Sequence, residues 1–234
     1  MPNTELLTNS KSDPRRSPTF WTVAVWAIAI LVGIALRLGW VPAIDLPILS
    51  WIRDNQVDGL QRFMYVITLG GYWPAYVVLL AIVALVLIPK KQLRSWLVLV
   101  FNAAATWGMN GLMKVIFRRE RPIDFFQMEQ GGLSYPSGHA MVSVAFYLLA
   151  ALMLAKAFPR LKGIAVVIGV GSFLPGLSRL FMGVHYPSDV IIGWMLGVSA
   201  AFFWYHVWLR MEKEQSLLQL AKKSLTHDCS QPVS

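Results

Sequence analysis

Five apolar runs of close to membrane-spanning length, at residues 20–39, 72–88, 95–113, 140–158 and 189–209, govern what this chain can fold into. A bilayer core of roughly 30 Å needs about 20 helical residues to cross it, and only helices or closed barrels satisfy their backbone polar groups there. A sixth run, 162–176, is shorter but free of charge after Lys162. It can span if Pro175 and Gly176 mark its outer end inside the protein rather than in lipid. With 56% of its 234 residues hydrophobic and 14% charged, the chain is not a soluble globular domain. The reading is an all-α integral membrane protein with six transmembrane helices.

The first run follows Lys11, Arg15 and Arg16, as a signal peptide would. It is too long for one and has no small-residue cleavage site before Arg37 and Trp40, so it is read as a retained span. This divides the chain into an N-terminal tail at 1–18, a membrane domain at 19–210 and a polar C-terminal tail at 211–234, helical at first. With both termini in the cytoplasm, 13 of the 21 basic residues face inward, in keeping with the positive-inside rule. The one cysteine, Cys229, lies in the tail and excludes an intramolecular disulfide or a cysteine metal cage. Trp21, Trp40, Trp73, Trp96 and Trp208 fall near the ends of spans, where an interfacial belt or packing accounts for them. Residues 44–53 have the apolar spacing of a surface helix, with Ile44, Ile48, Leu49 and Ile52 on one face, serving as an interfacial linker or as a cover for the site.

Against this background, the outward segments break the charge rule. Of the eight outer basic residues, Lys114, Arg118, Arg119, Arg121 and Arg179 crowd into two loops that also hold His139 and His185. Charge beside hydrocarbon is costly, by roughly 2.5–3.5 kcal/mol for an Arg or Lys at a span centre, which implies an anionic counterpart. Lys114 and Arg121 are seven residues apart, about 10 Å along a helix, although Pro122 disfavours helix at Arg121 and places it where the chain turns. A lysine and an arginine together offer a point charge and a planar fork to phosphate oxygens. Arg118 and Arg119 fit lipid-headgroup contact and a place in the site equally well.

Two helix starts complete the set. In Pro136-Ser137-Gly138-His139, Ser137 occupies an N-cap position, Gly138 lets a ligand approach the backbone, and the free amides of the helix end favour an anion. Tyr186-Pro187-Ser188 repeats the style, with His185 before it and Asp189 four residues after that histidine. This spacing lets the carboxylate accept a hydrogen bond from one imidazole nitrogen and leave the other free to attack. Each cluster alone has a structural explanation: a solvated basic face, a helix start, a structural His–Asp pair. Together they describe a phosphate-processing site at a membrane surface.

Lys114 with Arg121-Pro122, Pro136-Ser137-Gly138-His139, and Ser178-Arg179 with His185 and Asp189 resemble, in order and spacing, the three signature motifs of the type 2 phosphatidic acid phosphatase (PAP2) superfamily. The resemblance runs from the second span to the last. It implies a six-helix membrane core and a metal-independent phosphatase without cofactor. In that scheme His185 attacks phosphorus, Asp189 fixes its tautomer, and His139 protonates the leaving oxygen and then activates water. Lys114, Arg121, Ser137, Gly138, Ser178 and Arg179 would bind the phosphate. Asp124 and Glu129 read as ordinary loop residues, and Phe125-Phe126-Gln127-Met128 as a loop that contacts substrate or the interface. The superfamily's soluble vanadate haloperoxidases fit a membrane-embedded chain poorly.

The expected activity is hydrolysis of a terminal phosphate on a lipid phosphate or pyrophosphate at the extracytoplasmic face of the cell membrane. Candidate substrates are phosphatidylglycerol phosphate, undecaprenyl pyrophosphate, phosphatidic acid and diacylglycerol pyrophosphate. Transfer of the phosphoryl group to an acceptor would use the same histidines. A non-catalytic transporter or anionic-lipid binder fits less well, because the polar residues gather at one side rather than at the midplane of repeated halves. The expected partners are the lipid substrate and the bilayer; nucleic acid is not among them, and the sequence names no protein partner.

Overall fold

In the computed structural model, residues 18–125 and 130–228 are described, with side chains from 19 to 220. Expectations about Lys11, Arg15, Arg16, Phe126 to Glu129, Lys222, Lys223 and Cys229 therefore lie outside the described residues or side chains. The described secondary structure is helical: α1 (Pro18–Arg37), α2 (Asp45–Asp54), α3 (Asp58–Leu69), α4 (Trp73–Leu87), α5 (Leu93–Phe117), α6 (Gly138–Ala157), α7 (Lys162–Gly171), α8 (Leu174–Phe181) and α9 (Pro187–Asp228).

Of the expected six spans, length and apolarity account for four or five among the described residues. Among the described residues, four segments are long and apolar enough to cross a bilayer: α1, α6, α7 with α8, and α9. A fifth arises if α3 and α4 are taken together, bent by 56° at residues 70–72. At 15 residues α4 is about 22 Å long, short of the hydrocarbon thickness on its own. The 25 residues of α5 give it ample length but not the apolarity, because Asn102, Thr106, Asn110 and Lys114 recur every fourth position along one side. The first three of these are buried.

Helix α6 is central, packed against α5, α8 and α9, while α1 lies along α9 and α3 against α8. Gly193 and Gly197 of α9 permit this approach: a Cβ at either would stand 2.8 Å from Ala140 or Val144 of α6. Close contact between small residues is the main source of helix adhesion where the surroundings are as apolar as the side chains. A π turn at Val144–Leu148 interrupts α6. One part of the core joins Tyr76, Leu99, Phe146, Leu149, Ala201 and Trp208. Another joins Ala29, Met113, Phe117, Tyr135, Met141 and Leu196.

The belt tryptophans separate into two kinds. Trp21, Trp40 and Trp73 are exposed, whereas Trp208 is buried with its indole N–H on Ser95 Oγ at 3.0 Å, and Trp96 donates to the Leu80 carbonyl. The expected surface helix is present as α2, but it is anchored, with Asp45, Leu49 and Ile52 buried.

Candidate active site

Three chain ends meet at one side of the bundle. Helix α5 stops one turn after Lys114, where Arg118 takes a left-handed conformation at φ 49°, so Arg121 stands off the helix as Pro122 requires. Helix α6 starts after Ser137, and α9 starts at Pro187, two residues after His185. Lys114, Arg121, Gly138, His139, Arg179 and His185 line one cavity of about 230 Å³. Trp73 and Trp107 stand at its wall, 67% and 68% exposed.

The hydrogen bonds fix the tautomer of His185. Arg121 Nη1 lies 3.1 Å from Nε2, and a guanidinium can only donate, so Nε2 is the acceptor and Nδ1 carries the proton. The partner of Nδ1 is not simply Asp189. Their separation is 3.5 Å, and Ser134 Oγ lies between, 3.1 Å from Nδ1 and donating to Asp189 Oδ2 at 2.5 Å. The expected histidine–carboxylate bond is thus replaced by a hydroxyl bridge. Asp189 Oδ2 also accepts the Tyr186 N–H at 3.0 Å, which holds the carboxylate across the start of α9. Burial pushes the His185 pKa well below its ordinary value, with Arg121, Lys114, Arg179 and Arg119 adding to the shift. Its Nε2 is therefore unprotonated at neutral pH, with its lone pair on Arg121.

His139 sits across the cavity against Tyr72, ring centroids 4.6 Å apart, with its ring bonded to the Thr68 backbone. Its Nε2 is buried without a hydrogen-bond partner among the described residues, and so is Ser137 Oγ. Ser137 occupies the N-cap position, but its hydroxyl makes no capping bond. Gly138 packs against the Asn110 amide, which itself donates to the Pro136 carbonyl at 3.1 Å.

The cations differ in how they are held. Lys114 Nζ donates to the Leu133 and Ser134 carbonyls at 2.6 and 3.2 Å. Arg121 bridges the Gly132 and Val184 carbonyls, and burial together with Arg179 lowers its pKa to about 10, still cationic near neutrality. Arg179 is 1% exposed and reaches Thr68 Oγ1 at 2.8 Å and Gln130 Oε1 at 2.7 Å. Ser178 is not part of the cavity wall, since its hydroxyl bonds the Pro175 carbonyl one turn back in α8. Arg119 does not line the cavity; both its arms end on buried carboxylates, Asp189 and Asp45. Arg118 is exposed and bonds only its own helix end.

Sequence reasoning missed Ser134, Thr68, Asn110 and Asp45. Only Asn110 left a signal, as one step in the four-residue polar repeat of α5.

The family model described as the PAP2 superfamily matches residues 94–212, just over half of the chain. Phosphatidylglycerophosphatase B of Bacillus subtilis is 35% identical over 99 residues, 40% of this chain and 48% of that protein. Undecaprenyl-diphosphatase of Sulfolobus acidocaldarius is 29% identical over 157 residues, covering 64% and 72% of the two chains. The chain thus spans about half the length of the first of these relatives. Among solved structures, a transmembrane PAP2-type phosphatidylglycerolphosphate phosphatase from Bacillus subtilis superposes with a TM-score of 0.75 at 24% identity, over 82% of this chain and 97% of that one. That likeness speaks for the fold.

Proposed function

The chain belongs to the PAP2 superfamily, and on that premise we propose that it is a metal-independent phosphatase acting on a lipid phosphate or pyrophosphate at the extracytoplasmic membrane face. The observation that carries this reading is the pairing of two differently prepared histidines on one cavity. His185 Nε2 is an acceptor held by Arg121, with its proton on the Ser134 and Asp189 side. His139 Nε2 is buried and awaits a partner.

In the first step His185 Nε2 attacks phosphorus, a P–N bond forms, the P–O bond to the lipid breaks, and protonated His139 gives its proton to the leaving oxygen. In the second, neutral His139 takes a proton from water as its oxygen attacks phosphorus, the P–N bond breaks, and free phosphate leaves. Lys114, Arg121 and Arg179 neutralise the phosphoryl oxygens, with the Gly138 amide and the Ser137 hydroxyl as further donors. Phosphoryl transfer depends chiefly on such positioning and charge, which three fixed cations supply. The names of the relatives favour phosphatidylglycerol phosphate and undecaprenyl pyrophosphate within the candidate set.

Phosphate release by the detergent-solubilised protein from lipid monophosphates and pyrophosphates, measured in EDTA, tests the reading. Release is expected in EDTA and should vanish in His185→Ala. Equal release by that variant, or none by the parent from any lipid, would overturn it. Release that depends on an added alcohol would instead assign phosphoryl transfer.

A further inference from the structure

We propose that Arg119 and Asp45 are positioning residues for the nucleophile, and that through them the surface helix α2 sets the geometry of the His185–Ser134–Asp189 relay. The inference rests on the phosphatase reading for its kinetic consequences.

Asp189 divides its two oxygens. Oδ2 serves the relay through Ser134, while Oδ1 accepts Arg119 Nη1 at 2.5 Å. The other arm of Arg119, Nη2, reaches Asp45 Oδ2 at 2.6 Å, and Nη1 also donates to Ser188 Oγ at 2.8 Å. Asp45 completes the lattice from α2: Oδ1 accepts the Ser188 N–H at 2.9 Å, and Oδ2 the Ser188 hydroxyl at 2.8 Å. The Arg119 guanidinium lies over the Tyr186 ring, 3.9 Å from its centroid. Its side chain is 11% exposed and both carboxylates are fully buried. Ser188 and one oxygen of Asp189, at the start of α9, are therefore tied to an arginine and an aspartate more than 60 residues upstream.

This arrangement separates Arg119 from the three cations on the cavity. Its charge is consumed by two carboxylates, whereas Lys114 and Arg121 donate to neutral backbone carbonyls that a phosphate oxygen can replace. Removing Arg119 leaves Asp189 without its counterion, and the carboxylate becomes free to turn from Ser134. Removing the Asp45 charge places an amide N–H against donors from Arg119 or Ser188 whichever way the amide is turned.

The test compares Arg119→Ala, Arg119→Lys and Asp45→Asn with the parent in phosphate release from a dispersed lipid phosphate. A positioning role predicts that kcat falls roughly ten- to a hundred-fold in Arg119→Ala and Asp45→Asn, as for residues that orient a reacting group, with KM within about twofold. Arg119→Lys should recover part of the loss. The acid limb of kcat/KM should move to higher pH in Arg119→Ala, because Asp189 then stabilises the imidazolium of His185 against Arg121, Lys114 and Arg179. A raised KM at unchanged kcat would make Arg119 a substrate ligand and overturn the inference, as would unchanged kcat in all three variants. If the parent itself releases no phosphate, the phosphatase reading fails. The inference is then decided by the ¹⁵N shifts of His185 in histidine-labelled protein: Nδ1–H in the parent, and a loss of that single tautomer in Asp45→Asn and Arg119→Lys. An unaltered tautomer in both would overturn it.

Discussion

Ser134 occupies the point where the relay is weakest. Its hydroxyl accepts from His185 and donates to Asp189, so deleting it leaves the imidazole N–H facing a carboxylate 3.5 Å away. A hydrogen bond to a charged group contributes about 1.5–3 kcal/mol, and roughly 1.4 kcal/mol is tenfold in rate. Ser134→Ala should therefore lower kcat by about ten- to a hundred-fold with little change in KM, read from phosphate release at saturating lipid. An unchanged kcat would mean that Asp189 closes on His185 directly. At this scale the sequence shows what is local. His185 and Asp189 are one helical turn apart, and their partnership is readable from spacing. Ser134 meets them across 51 and 55 residues, and Asp45 meets Ser188 across 143, distances over which no periodicity operates.

At the scale of elements, the corner between α3 and α4 presses on the second histidine. A Cβ on Gly71 would stand 2.2 Å from His139 Cδ2, so the backbone of the corner and the imidazole are in direct contact. The same corner brings Thr68 to Arg179 and Tyr72 to His139. Gly71→Ala should displace the ring while leaving the bundle folded. We expect phosphate release to fall by more than tenfold, with a thermal midpoint in detergent that shifts only a few degrees; equal activity would show that the ring has room to yield. Apolarity located most of the helices in the sequence, yet α3 escaped notice, because Asp58, Gln61 and Arg62 give it no uninterrupted apolar run. In α5 the reverse held. An apolar run hid an inward polar stripe, which only the interval between Asn102, Thr106, Asn110 and Lys114 discloses.

For the whole molecule, the distribution of charge predicts the sidedness. The connection between α4 and α5 carries Lys90 and Lys91, while the site lies at the opposite ends of these helices with Lys114 and Tyr72. In a Cys229→Ser background, Asn55→Cys should react with a membrane-impermeant maleimide added to intact cells, and Lys90→Cys only after lysis. The reverse pattern would place the site in the cytoplasm. Family membership and helical class were both legible before any coordinates, since three motifs and a set of apolar runs carry them. Apolar length alone does not give the count of spans, because crossing depends on how polar residues are covered by neighbours.

The bond between Arg121 and the His185 lone pair has a consequence for the proposed catalysis at a lipid surface. The nitrogen proposed to attack phosphorus is engaged by a donor. A phosphoryl oxygen draws the guanidinium more strongly than a neutral imidazole does, because both partners of that bond are then charged. On the proposed mechanism, arrival of the anion unlocks the nucleophile, while uncharged groups of the surrounding bilayer leave it latched.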